Sequence, residues 1–396
     1  MSNVRKFRVI GGGKSEAESD ITAQIKKHKW KTVIRKILLV TLAVFVVGMV
    51  ITKVKNQVFV SATISKKIDH KLVENTNYLE NGQCYIIYSK DGISSMDSEG
   101  KVIWNLTYEM QNPIVRTSQA YVAVGDYNGH IIYLIDKKGT IYEIDTGLPI
   151  REFTVSKEGL VASVLEDNGN SWVNLFDKTG EKIVEAKATM SRTGYPVAVA
   201  LSGEVMGVSY FYIDDSMMRS SVTFYNFGGV GENVTDHIVS SYDYADSVVP
   251  IVALLGEDKF FAVGDNRIMF FEGEKKPVSC ADILLQEEIQ SVYYGDHYVG
   301  LVFYDQTGEF KYRLDVYNET GKKQFSRGFD MDFKDVLIAN NQVMIYNDSR
   351  FKIYDVKGKE KYDGTFNEKV SYVLKTETGR KYMLVTNNSM EVLEFN

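Results

Sequence analysis

The sequence predicts an all-β propeller of seven to eight four-stranded blades, preceded by one N-terminal transmembrane helix. Three observations carry this. A phrase made of an apolar run, Asp or Asn, two arbitrary residues and Gly recurs about every 40 residues, short alternating runs flank each copy, and one uncharged stretch of sixteen residues lies near the N-terminus.

The N-terminal region comes first. Residues 1–36 carry ten Lys/Arg against three acids, a balance of +7, while residues 53–396 carry 36 basic and 49 acidic residues, a balance of −13. Between them Ile37–Thr52 (ILLVTLAVFVVGMVIT) holds no charge. As a helix it would span about 24 Å, short of the ~30 Å hydrocarbon core. Val33, Ile34 and Val54 lengthen the apolar run, and Arg35, Lys36 and Lys53 can snorkel towards headgroups. Six basic residues at positions 26–36 outweigh Lys53 and Lys55, which by the positive-inside rule puts the N-terminus in the cytoplasm. The expected organisation is a basic cytoplasmic tail (1–36), a signal anchor in the lipid bilayer (37–54) and an extracytoplasmic propeller (55–396) of the cell envelope. A signal peptide cleaved near Val60-Ser61-Ala62 and a buried core helix are the competing expectations.

Within the tail, Ser15-Glu16-Ala17-Glu18 fits a helix-capping box. Gly11-Gly12-Gly13-Lys14-Ser15 lacks the first glycine of a phosphate-binding loop, since Arg8 stands there, and reads as a flexible joint. The acidic body repels nucleic acid phosphates and anionic headgroups alike, so bulk charge argues against both as its partners. Five prolines and two cysteines exclude a Pro-rich linker and a disulfide-stapled scaffold.

The recurring phrase appears at Asp97–Gly100, Asp136–Gly139, Asp177–Gly180, Asn226–Gly229, Asn318–Gly321 and Asp355–Gly358, with spacings of 39, 41, 49, 92 and 37. The gap of 92 divides at Glu272, a degenerate copy in Phe270-Phe271-Glu272-Gly273, and 41 residues beyond Asp355 lies Asn396. Asp or Asn at one position and Gly three later suits a type I turn followed by a left-handed residue, a common hairpin connection. Units of this length supply about four strands, the size of a propeller blade. The eighth unit runs out before its fourth strand, and Gln57–Ile64 (QVFVSATI) is expected to supply it and close the ring. Seven blades, or two smaller β domains, remain open alternatives.

Asp97-Ser98-Glu99-Gly100-Lys101-Val102-Ile103-Trp104 resembles the Asp-x-x-Gly-Lys-x-x-Trp phrase of pyrroloquinoline-quinone-type (quinoprotein-like) and WD40-like repeats. The plan of basic tail, anchor and degenerate propeller is similar to an uncharacterised clostridial family with a domain of unknown function. That resemblance implies the fold and no particular activity. Relatives of the repeat include a scaffold of outer-membrane protein assembly and the quinoprotein alcohol dehydrogenases. The dehydrogenases' vicinal cysteines have no counterpart, because Cys84 and Cys280 are 196 residues apart and read as separate buried thiols.

Catalytic constellations are thin. His28, His70, His130, His237 and His297 show no metal-ligand spacing, and no Gly-x-Ser-x-Gly elbow occurs. A sialidase-type box would need its glycine at Glu99. Asp214-Asp215, Asp243/Asp246 and Asp330/Asp332/Asp335 lack the spacing of a calcium loop and read as solvated turns. No cofactor or metal is expected. Tyr210, Tyr212, Tyr242 and Tyr244 lie in the two longest units, where amphipathic aromatics suit a contact surface. The function expected is a non-catalytic interaction or ligand-binding module, whose partner is another envelope protein or a cell-wall component. The alternatives are a propeller hydrolase acting on cell-wall glycan or peptide, and an envelope sensor.

Overall fold

The computed structural model describes residues 16–55, 58–188, 194–214, 216–256, 258–295, 297–376 and 378–396, and the chain divides into two units at Val58/Phe59. The Gly11–Ser15 run and Asp215 lie outside the described residues. The first unit contains one α-helix, Glu16–Lys55. Its apolar residues 33–49 are exposed on every side, as at Leu38, Leu39 and Phe45. Among the described residues no helix is long and apolar enough to cross a membrane. The described apolar stretch 33–49 alone would run about 25 Å.

The second unit is an eight-bladed β-propeller of four-stranded antiparallel sheets. Blades 1 to 7 follow the chain, at residues 77–107, 113–145, 150–188, 195–244, 251–284, 289–329 and 335–365. Blade 8 joins Val370–Lys375, Lys381–Thr386 and Ser389–Phe395 to the N-terminal strand Ala62–Asp69. That strand pairs antiparallel with the last one, from Ala62 opposite Phe395 to Asp69 opposite Ser389. Closure by an N-terminal strand is therefore as expected, but the strand begins at Ala62, later than Gln57. Ahead of it the Phe59 and Val60 amides still donate to Lys361 O and Asn396 O, at 3.0 and 2.7 Å.

Each blade buries both of its faces against neighbours, which explains why the middle strands read as apolar runs rather than strict alternations. In blade 2, Val122 and Val124 face blade 1 while Ala123 faces blade 3. Eight apolar clusters result, one per blade interface; the cluster between blades 7 and 8 joins Phe351 and Ile353 to Leu393 and Phe395, with Ile64 of the closing strand packed on it.

The recurring phrase is the turn between third and fourth strands. In blades 1, 2, 3, 6 and 7 the side-chain oxygen of Asp97, Asp136, Asp177, Asn318 or Asp355 accepts from the amides two and four residues on, at 2.8–3.1 Å. The phrase glycine sits at positive φ, for example +86° at Gly139 and +79° at Gly358. It also packs on the preceding blade: a Cβ on Gly139 would lie 2.6 Å from the Trp104 Cβ, and one on Gly358 2.6 Å from the Phe325 Cβ. Gly100, Gly180 and Gly321 make the equivalent approach to the outer strand of the blade before them. The phrase is thus a turn and an inter-blade contact at once.

Blade 4 departs from it. Asn226 still accepts from the Gly228 amide at 2.8 Å, but a loop over 227–237 follows and Gly229 is not in the left-handed region. Asn396 occupies the eighth turn position, where the first and last segments of the propeller meet: its amide donates to Ser61 O at 3.1 Å.

Candidate functional site

The first strands of neighbouring blades lie side by side around the ring axis, and enclose a cavity of about 620 Å³. Its polar wall comes from blades 8, 1, 2 and 3. Arg116 Nη2 donates to Glu152 Oε2 at 2.7 Å across the blade 2–3 boundary. Across the blade 8–1 boundary the Lys375 amide donates to Glu80 Oε2 at 3.2 Å, and its Nζ lies 3.8 Å from Oε1. The opposite wall is aliphatic, with Val197 and Val199 from blade 4 and Ile251 and Ala253 from blade 5. The cavity is therefore amphipathic, and each of its two carboxylates meets a base from the neighbouring blade, while Lys157 adds a third base to the lining. Such a concave site with a few oriented polar groups suits binding of an amphipathic or zwitterionic ligand.

A second charged cluster flanks the ring. Arg151 Nε donates to Glu166 Oε2 at 2.9 Å, the Tyr195 hydroxyl donates to the same oxygen, and the guanidinium lies 5.1 Å from the centre of the Tyr127 ring. The Tyr195 hydroxyl, then the Arg151 guanidinium, hold the Glu166 carboxyl below its ordinary value. Burial, then Glu166, pushes the Tyr195 phenol up to about 12. Both partners are stabilised in the forms they already hold at neutral pH.

The four tyrosines singled out by the sequence do not form one face. Tyr210 and Tyr244 are 3% and 5% exposed, which leaves them no surface for a partner. Tyr210 meets the Tyr225 hydroxyl at 2.7 Å, and Tyr244 lies under the Arg267 guanidinium. Tyr242 is half-buried, packs on Phe224 and Phe271, and accepts from the Ser279 amide. Tyr212 is half-buried in the long hairpin that also carries Tyr210, Val205–Asp214 with Met217–Asn226, whose tip exposes Ile213, Met217 and Met218.

His130, His237 and His297 fall in blade 2, blade 4 and blade 6, and among the described residues no group of His, Cys, Asp or Glu is arranged to hold a metal. Cys84 and Cys280 are free thiols, as expected, but neither is fully buried: Cys84 is half-buried, and Cys280 is exposed because it lies on the outermost strand of blade 5. Asp330 and Asp335 do turn and core work, accepting from the Lys311 amide and the Tyr346 hydroxyl. The cavity charges Glu80, Arg116, Glu152 and Lys375 escaped sequence reasoning. For two of them the signal was present as the single charge of a mostly apolar first strand, Arg116 in Pro113–Thr117 (PIVRT) and Lys375 in Val370–Lys375 (VSYVLK).

Ring closure, eight blades and a central amphipathic cavity define this chain as an eight-bladed β-propeller. It belongs to a family of unknown function (DUF5711), whose model matches residues 55–395. No curated protein matches the sequence. Among solved structures it is similar to apo AztD from Citrobacter koseri, with 12% identity, TM-score 0.52, and coverage of 76% of this chain and 88% of that one. It is also similar to a eukaryotic initiation factor, with 13% identity, TM-score 0.50, and coverage of 82% and 87%. BamB from Moraxella catarrhalis follows with 11% identity, TM-score 0.48, and coverage of 85% and 100%. At such identities the likeness is one of fold alone.

Proposed function

We propose that the chain is a single-pass, membrane-anchored extracytoplasmic propeller that binds another envelope protein or a cell-wall component without turning it over. The anchor is supported by the uncharged run Ile37–Thr52 inside one continuous helix, and by the basic residues crowding its N-terminal flank. One observation carries the non-catalytic part. Four of the five charged side chains that line the cavity meet in two cross-blade pairs, Arg116 with Glu152 and Lys375 with Glu80, so both of its carboxylates are already engaged by a base rather than standing alone as a general acid or base. The aliphatic wall facing them supplies apolar contact area for a ligand.

Photo-crosslinking of the full chain in intact membranes tests this. Recovery of one dominant envelope partner, reduced by Ala253→Glu in the cavity wall, is the expected result. Release of glycan or peptide fragments by the purified full chain, abolished by Glu152→Gln, would favour a hydrolase instead.

A further inference from the structure

The first strand of each blade pairs on one edge only, with the second strand, so the edge turned to the central cavity is open. An open edge carries a row of amides and carbonyls with no partner in the sheet. On the polar wall, side chains cap such strands. The Phe153 amide donates to Glu152 Oε1 at 2.8 Å, and the Lys375 amide donates to Glu80 Oε2 at 3.2 Å. On the aliphatic wall there is no such cap. Among the described residues no side chain bonds the backbone of 197–201 in blade 4 or of 251–254 in blade 5.

Tyr195–Ser202 is the longest first strand, eight residues against five to seven in the other blades. Its side chains are spent on the blade interfaces. Ala198 and Ala200 pack in the cluster shared with blade 5, and Val199 and Leu201 in the cluster shared with blade 3. What the strand turns to the axis is therefore backbone. The cavity is open at the end lined by the turns after the first strands, where a Cβ on Gly82 or Gly203 would meet nothing within 4 Å.

We infer that the blade 4 edge takes a fifth strand: the ligand of the cavity is an extended peptide segment of about four residues, about 13 Å long, hydrogen-bonded through its main chain to residues 197–201. Its side chains lie against Ile251 and Ala253 of the neighbouring wall. Desolvation chooses this occupant over a lipid-like chain. An acyl chain would drive water from the edge and leave its amides and carbonyls unpaired, which is costly, whereas a peptide main chain pairs them. The inference names the ligand class of the binding reading above and rests on it.

The test uses the full chain in nanodiscs and an equimolar library of free tetrapeptides built from Gly, Ala, Val, Leu and Ser, with equilibrium dialysis read by mass spectrometry. Enrichment of an aliphatic subset is expected, and its loss in Ala253→Glu at an unchanged melting temperature. The most enriched tetrapeptide is then made in two further forms, N-methylated at residue 3 or at residues 2 and 4. Alternate residues of a strand bond to one neighbour, so one form should bind about ten-fold or more weakly and the other within about three-fold of the parent. These two arms use the unaltered chain and stand even where Ala253→Glu fails to fold. Absence of enrichment, or equal effects of the two N-methyl patterns, overturns the inference, while a cavity-dependent crosslink to an envelope partner still upholds binding. Cleavage of the enriched tetrapeptides upholds the peptide ligand and overturns the non-catalytic reading.

Discussion

At Gly358 the backbone holds φ +79° and the Phe325 Cβ stands 2.6 Å from where a new Cβ would be. Gly358→Ala therefore meets left-handed strain and overpacking together, and should destabilise the propeller by about 3 kcal/mol in denaturant titration. Gly229 fills the same place in the phrase, yet nothing lies within 4 Å of its Cβ site. Gly229→Ala should fall within about 0.5 kcal/mol of the parent. The Asp or Asn of the phrase behaves differently, because either side chain offers the oxygen the turn needs. At Asp177 the Thr179 hydroxyl, then the Glu181 and Thr179 amides, outweigh burial and hold the carboxyl below its ordinary value. Asp177→Ala should cost about 1 kcal/mol and Asp177→Asn less. A depressed folded value means the ionised turn contributes fully above the unfolded value and loses that contribution as pH falls through the folded one. Acid titration of the parent against Asp177→Asn should accordingly narrow the gap between them below about pH 4; a gap constant from neutral pH to pH 2 would refute the assignment.

The strand Ala62–Asp69 is the element that makes the repeat a ring. Its Ile64 packs on the cluster between blades 7 and 8, its Ile68 on the cluster between blades 8 and 1, and Lys67 reaches Glu391 at 2.7 Å. Removing residues 57–69 exposes two apolar interfaces and the edge of Ser389–Phe395. A fall in melting temperature of the whole propeller of about 10 °C or more is expected, and unchanged calorimetric melting would defeat the closure argument. This element was legible because alternation survives in its sequence, but its start was misplaced. Gln57–Val60 is as apolar as the strand itself, and only pairing to Phe395 fixes where the ladder begins. The blade 4 loop was hidden for the opposite reason. Asn226-Phe227-Gly228-Gly229 spells the turn, and what opens it is the longer route over 227–237 before Ile238–Tyr244 begins. The tyrosines Tyr210 and Tyr244 were misleading as surface candidates because alternation says that a side chain points sideways, and in a propeller both sides of a blade are core.

For the whole molecule, the eight phrases in one register match the eight blades one for one, a count that the sequence left open at seven or eight until the ring was seen closed. The cavity was not legible in the same way. Glu80 and Lys375 are 295 residues apart and meet only because the ring brings blade 8 back to blade 1. Sequence distance carries no trace of that closure, whereas the local chemistry of Asp97 or Asp355 is complete within five residues. Topology across a membrane belongs to this scale as well. Six basic residues at positions 26–36 precede the uncharged run and two lysines, Lys53 and Lys55, follow it, the asymmetry on which the proposed cytoplasmic N-terminus rests. Reporters that are active only on one side of the membrane, fused after residue 20 and after residue 396, should give opposite signals, cytoplasmic for the first and extracytoplasmic for the second. Changing Lys26, Lys27, Lys29 and Lys31 to Gln should weaken that bias and yield a mixed signal, because the remaining Arg35 and Lys36 only match Lys53 and Lys55. A cytoplasmic signal from the C-terminal fusion of the parent chain would sink the proposed orientation, and with it the assignment of the propeller to the cell exterior.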